Sequence, residues 1–199
     1  MVNSMTTHSR DTSSGRRNFL RMGAGLGIAL MASPVLAKSV SVLAPKGERR
    51  LALYNIHSGE SLNTVYWQDG IYIPDAMTSI NHILRDRRNG EMTQMDVQLI
   101  DMLAELHTKV EGKQAFQIIS GYRSESSNNK LRKVSELGGV AKKSLHMQGR
   151  AMDIRLPKTD LKHLHKAAVK MKRGGVGYYP RDGFIHVDTG RVRYWGQHA

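Results

Sequence analysis

The run Ser144-Leu145-His146-Met147-Gln148-Gly149-Arg150-Ala151-Met152-Asp153 sets a histidine and an aspartate on either side of Gly149, a residue that lets the chain turn between them. A second run, Phe184-Ile185-His186-Val187-Asp188, alternates in a way that reads as a strand, so His186 and Asp188 share a face. Two histidine nitrogens and one carboxylate oxygen are the donor set of a catalytic zinc site, which uses three protein ligands and keeps a fourth position open. One histidine alone is more often an ordinary polar residue. It is the joint pattern that points to metal chemistry.

Several elements must position these residues. Residues 51–56 and 62–67 predict short strands about a turn at Ser58-Gly59. A helical pattern covers 76–88, and the clearest helix is 94–110, with Val97, Ile100, Leu103, Leu106 and Val110 on one face. Residues 115–120 predict an apolar strand running into Gly121, 124–134 a helix, and 136–143 a loop with Gly138-Gly139. A strand at 150–156, a helix at 159–172 and strands at 176–179 and 184–188 follow. Helices early and short strands late predict an α+β fold, a small antiparallel sheet with flanking helices that carries the site.

These residues also carry a family resemblance. Ser-x-His-x-x-Gly-x-Ala-x-Asp over Ser144 to Asp153, followed by the strand histidine His186, resembles the signature of the LAS metallopeptidases. That group holds zinc D-Ala-D-Ala carboxypeptidases, VanX-type dipeptidases, murein endopeptidases and the hedgehog signalling domain. The similarity is closer to murein endopeptidase K and its relatives. It rests on Leu53-Tyr54-Asn55-Ile56-His57-Ser58-Gly59-Glu60, Ser120-Gly121-Tyr122-Arg123-Ser124 and Gly139-Val140-Ala141-Lys142-Lys143. It continues through Gly174-Gly175-Val176-Gly177-Tyr178-Tyr179-Pro180 and His186-Val187-Asp188-Thr189-Gly190, with Trp195 close behind, and so runs through nearly the whole chain.

The resemblance implies a hedgehog/D-Ala-D-Ala metallopeptidase-like fold and Zn2+ as cofactor, with His146, Asp153 and His186 as its ligands. It implies murein stem peptides as substrate and hydrolysis of the cross-links between them. Arg123 matches the position where related enzymes stabilise an oxyanion. A fixed guanidinium aimed at developing negative charge contributes far more in a dry cleft than in water. The alternatives are a zinc D,D-carboxypeptidase with the same site, and a non-catalytic zinc-containing module that binds the wall.

The general base is where the chain departs from the pattern. Many relatives place a glutamate three residues before the second histidine ligand, and Gly183 stands there; lysostaphin-like members use a histidine two before it, and Phe184 stands there. A base must reach the attacking water at about 2.6–3.2 Å. Asp188, two residues after His186 on the same strand face, is the expected base, and it could equally orient His186 from behind. Asp182, four residues before His186, is the alternative.

Composition narrows the setting. The 199 residues include no cysteine, which excludes disulfides, thiolate metal sites, catalytic thiols and a lipid anchor on cysteine. Lys+Arg number 30 against 17 Asp+Glu, a net charge of +13 that would draw any anionic polymer: cell-wall carboxylates, acidic lipid or nucleic acid. Residues 1–37 read as an export signal. Arg16-Arg17-Asn18-Phe19-Leu20 resembles a twin-arginine motif, with Gly15 where Ser or Thr is usual; a short glycine-interrupted apolar stretch follows, then Val35-Leu36-Ala37 as a cleavage site. That stretch is too short for a stable membrane span, which needs about 20 apolar residues. The expectation is passage through the twin-arginine export machinery to the periplasm, a linker over 38–50, a zinc metallopeptidase domain over 51–199, and no nucleic-acid partner.

Overall fold

A computed structural model describes residues 47–134 and 140–196. The segment read as an export signal, 1–37, lies outside the described residues, as do positions 38–46 of the linker and Gly138-Gly139 of the loop.

The first strand, β1 (Glu48–Asn55), begins inside the stretch read as linker, pairs antiparallel with β2 (Ser61–Gln68) and is buried at Leu51, Leu53 and Asn55. A two-residue strand, β3 (Ile71–Tyr72), leads into α1 (Pro74–Ile83). Proline at the helix start is favoured because its missing N–H is one the first turn would leave unpaired. Instead of reaching residue 88, α1 stops at Ile83, and the chain turns there as the Leu84 and Arg85 N–H groups donate to Ile80 O and His82 O. Helix α2 (Val97–Lys109) buries Leu99, Ile100, Met102, Leu103 and Leu106; this apolar face, not intrinsic propensity, holds it in place. Its N-cap Asp96 accepts from the Gln98 N–H at 2.9 Å.

Strand β4 (Phe116–Ser120) runs into α3 (Glu125–Val134), and a short 3-10 turn at Leu145–Gln148 precedes β5 (Ala151–Arg155). Then come α4 (Leu161–Met171), β6 (Gly175–Tyr179), β7 (Phe184–Asp188) and β8 (Arg193–Gly196). The eight strands among the described residues join in one sheet, ordered β3-β2-β1-β4-β5-β7-β6-β8. The α+β character holds, but the small antiparallel sheet does not. The sheet is large and mixed, because β1 pairs parallel with β4 and β6 parallel with β8.

Alternation in the central strands separates core from site. Met152, Ile154, Ile185, Val187 and Val176 point into the core, where α4 packs over β6 and β7 with Leu164 and Ala168 buried. The intervening residues face the other way, so Asp153, His186, Asp188, Gly177 and Tyr179 share the opposite face. Register then places Asp153 directly across from His186, and His186 across from Gly177. No helix among the described residues is long and apolar enough to cross a membrane.

Candidate metal centre

Three of the residues singled out by the sequence converge on that open face. His146 Nε2 lies 3.3 Å from His186 Nδ1 and 3.4 Å from Asp153 Oδ1, and His186 Nδ1 lies 2.8 Å from Asp153 Oδ1. Donors bound to zinc at about 2.0–2.1 Å in a tetrahedral arrangement sit roughly 3.3–3.4 Å apart, which two of these separations match. The trio is the group among the described residues whose donor atoms could close on one metal ion.

The far nitrogen of each histidine decides which atom is free to bind. His146 Nδ1 is 2.7 Å from Gly121 O, a pure acceptor, so Nδ1 carries the proton and Nε2 presents its lone pair to the trio. His186 Nε2 is 3.0 Å from Asp188 Oδ2, also a pure acceptor, so Nδ1 presents its lone pair. Two lone pairs and a carboxylate oxygen facing one another in a buried site repel unless a cation or proton sits between them. The donor set therefore fits a divalent metal, and both rings carry the outer hydrogen bond that fixes the orientation of metal-ligating histidines.

The electrostatics follow from this crowding. Burial opposes the charge of Asp153, yet the His146 and His186 rings outweigh it and hold the carboxyl well below the usual range. Burial would also lower the pKa of His186; hydrogen bonds to Asp153 and Asp188 reverse that and raise it. The same balance governs Asp188, which is 0% exposed: burial opposes its charge, while His186, Arg193 and the Gly190 N–H hold its pKa well below the ordinary value.

Asp188 is fully engaged on the far side of His186. Arg193 Nη1 and Nη2 donate to Oδ1 and Oδ2 at 3.0 and 2.7 Å, and the Gly175 and Gly190 N–H groups donate to Oδ1 at 3.1 and 2.8 Å. This placement speaks against the base role expected for Asp188. The residue does share a face with His186, but it reaches the ring nitrogen turned away from the trio.

Arg123, 8% exposed, reaches the site from the loop between β4 and α3. Its Nη2 lies 3.8 Å from Asp153 Oδ2 and donates to Ser120 Oγ at 3.3 Å, while Nη1 donates to Asn128 Oδ1 at 3.4 Å. Its Nε has no partner among the described residues. Burial moves its pKa down against the pull of Asp153. The guanidinium lines the same cleft as the trio, a fixed positive group suited to a transient negative charge there.

The trio lies in a cleft of about 490 Å³ that Lys143, Ser144, Tyr179, Asp182, Phe184 and Trp195 also line. Tyr179 and Phe184 stack with ring centres 4.7 Å apart, and the Trp195 indole N–H donates to the Tyr179 hydroxyl at 2.7 Å. Trp195 lies 5.1 Å from the His186 ring, an approach open because residue 177 is glycine. Asp182, exposed on the turn between β6 and β7, lines the cleft with no hydrogen bond committing it elsewhere among the described residues.

With the geometry in hand, comparison of the sequence with known proteins settles the family. The family described as peptidoglycan L,D-endopeptidase MepK matches residues 43–195. The chain belongs to that peptidase family. It is 40% identical over 181 residues to the peptidoglycan L,D-endopeptidase MepK of Escherichia coli (strain K12), covering 90% of this chain and 96% of that protein. It is 36% identical over 182 residues to the probable peptidoglycan L,D-endopeptidase MepK of Haemophilus influenzae (strain ATCC 51907 / DSM 11121 / KW20 / Rd), covering 90% and 95%. The family membership expected from the motifs is thus established.

Other motif residues of this family member serve the scaffold. His57 Nε2 lies 3.0 Å from Ile119 O, tying the β1–β2 turn to β4, and His57 does not line the cleft. Gly149 takes a left-handed φ of 66°, and a side chain there would meet Gln94 O at 2.7 Å. Its carbonyl accepts from the Asp96 N–H, and the Asp96 carboxylate accepts from Thr189 Oγ1 at 2.6 Å, so the start of α2 ties the His146 turn to the end of β7. Sequence reasoning missed Arg193, Asn128 and Asp86. Arg193 and Asn128 bond across turns to Asp188 and Arg123, Asp86 bonds to Ser124 from a distant loop, and none leaves a local periodicity.

Proposed function

We propose that this chain is a zinc-dependent murein endopeptidase that hydrolyses peptide cross-links between stem peptides during wall remodelling. The observation that carries this reading is the convergence of His146 Nε2, Asp153 Oδ1 and His186 Nδ1, with the far nitrogen of each ring fixed by an acceptor. The relatives named as peptidoglycan L,D-endopeptidases supply the substrate class and point to a bond between an L-centre carbonyl and a D-centre nitrogen. The site of action in this reading is the periplasm, reached through the signal assigned to residues 1–37 and the twin-arginine machinery.

His146, Asp153 and His186 would hold the zinc, which when bound would supply Lewis-acid polarisation of a peptide carbonyl and acidify water toward neutral pH. The other work falls to the chain. Arg123, on the cleft lining and held by Asn128 and Ser120, sets its fixed guanidinium toward the oxyanion. Asp188 and Arg193 hold the His186 ring, and the Tyr179–Phe184 stack with Trp195 gives the stem peptide an apolar wall. With Asp153 committed to the trio and Asp188 to His186, Asp182 is the cleft carboxylate assigned to accept the proton from water. Lys143 on the cleft lining attracts substrate carboxylates.

The test is digestion of murein sacculi by the zinc-loaded protein, with products read by mass spectrometry and with chelated and His146→Ala controls. Chelator-sensitive conversion of cross-linked dimers to monomers is expected, and fragment masses name the bond. Release of D-Ala alone would move the assignment to a carboxypeptidase. Intact murein with stoichiometric zinc would leave a wall-binding module.

A further inference from the structure

Resting on the role proposed for Arg123, we infer that Asp86 is the positioning residue for that arginine, acting through the start of α3. Asp86 lies in the loop after α1, outside every motif, and is a buried charge at 1% exposure. Its Oδ2 accepts from both the N–H and the hydroxyl of Ser124 at 2.8 Å, and its Oδ1 accepts from the Arg88 N–H at 2.9 Å. Burial opposes the charge, but hydrogen bonds from Ser127, the Arg88 N–H and Ser124 outweigh it and lower the Asp86 pKa.

Ser124 is the first residue before α3. Its hydroxyl accepts from the Ser127 N–H at 3.3 Å and its carbonyl from the Asn128 N–H at 2.9 Å. Asp86 therefore locks the cap of α3 and places a negative charge at the positive end of that helix. Two consequences bear on the guanidinium. Arg123 is bonded directly to the locked residue, and Asn128, one turn into the locked helix, accepts from Arg123 Nη1.

The same loop clamps the rest of the segment. The Leu84 carbonyl accepts from the Tyr122 N–H at 2.8 Å, and a side chain at position 121 would meet that carbonyl at 2.5 Å. On its other side, the segment gives Gly121 O to His146 Nδ1 and the Arg123 N–H to His146 O. Residues 121–124 are thus held between the loop bearing Leu84 and Asp86 and the turn bearing His146. Of the groups in the first loop that hydrogen-bond to this segment, Asp86 is the charged one, while the Arg88 charge acts on Arg123 through space.

A double-mutant cycle on the full chain tests this, using Asp86→Asn, Arg123→Ala and the pair, with zinc content, melting temperature, kcat and KM on cross-linked muropeptides. Asn presents an N–H₂ where two donors now point at Oδ2, so the clamp opens while the volume is kept. The expected result for Asp86→Asn is full zinc occupancy, KM within about twofold, and kcat down roughly tenfold to a hundredfold. In the Arg123→Ala background the same substitution should change kcat by less than about threefold, because the group it positions is gone. Equal losses in both backgrounds, or an unchanged kcat with Asp86→Asn, would overturn the inference. If Arg123→Ala alone leaves kcat untouched, the proposed role of Arg123 fails, and the single variant shows that failure by itself. Should Asp86→Asn not fold, Ser124→Ala takes its place in the cycle. It removes one of the two bonds to Oδ2, with the same non-additivity expected and full additivity overturning the inference.

Discussion

His186 Nε2 sits 3.0 Å from Asp188 Oδ2 while the Nδ1 of the same ring sits 2.8 Å from Asp153 Oδ1, so one imidazole is gripped by two carboxylates on opposite edges. The outer carboxylate fixes which nitrogen carries the proton and makes the inner one a better donor. Asp188→Asn should accordingly weaken zinc binding by about 10–100-fold. Turnover should be largely restored at saturating zinc, because no proton-transfer group has been removed. Competition titration against a chelator gives the affinity, and kcat at saturating zinc gives the rest. A variant with wild-type zinc affinity and no turnover would return Asp188 to the role of base.

Asp182→Asn is expected to behave in the opposite way. General-base catalysis contributes about 10²–10⁴-fold, so kcat should fall into that range with zinc affinity and melting temperature intact. The side chain is exposed on a turn, and its loss removes no packing. A kcat near the wild-type value would eliminate Asp182 and leave no cleft carboxylate free for the task among the described residues.

The two aspartates show what could be read from the chain and what could not. His146, Asp153 and His186 were legible as candidates because a glycine turn and two-residue strand periodicity are local patterns, whereas the placement of Asp153 across from His186 comes from strand register. The same periodicity puts Asp188 beside His186, but it cannot say which ring nitrogen the carboxylate reaches. That depends on Arg193, delivered by an edge strand too short to show any period. The sheet was underestimated for the same reason. β3 has two residues and β8 four, and the parallel pairing of β1 with β4 is set by a crossover through α1 and α2. Asp86 fell within a predicted helix, where an aspartate reads as solvated; termination of α1 at Ile83 puts it in a buried loop instead.

Gly177 is where the strand register meets the cleft. A Cβ there would lie 2.7 Å from the indole of Trp195, the ring that covers His186 and donates to Tyr179. Gly177→Ala must push the indole aside, an overpacking that typically costs about 1–3 kcal/mol. Thermal unfolding should show the loss, and the tryptophan emission should shift as the ring moves toward water. kcat/KM should drop because the apolar wall of the cleft is displaced. An unchanged melting temperature with an unchanged spectrum would mean that the strand backbone gives way more easily than the contact suggests.

Asp86 also predicts a pH dependence of stability whose sign follows from its environment. Its folded pKa is depressed below the ordinary 3.8, so at low pH the unfolded chain binds the proton more readily than the folded one. The stabilisation is fully present above about pH 5 and is lost as pH falls through the folded pKa, below about 4. Asp86→Asn removes the titration along with the charge. At pH 6 the variant should be less stable by about 1–3 kcal/mol, the usual cost of leaving buried donors without their acceptor. On acidification the wild type should lose this advantage, since a protonated Asp86 also turns a donor toward Ser124. Urea unfolding at pH 6, 4 and 3 checks it: the gap between the two proteins should narrow over that series. A constant gap would mean that the carboxylate stays ionised throughout or contributes nothing through its charge.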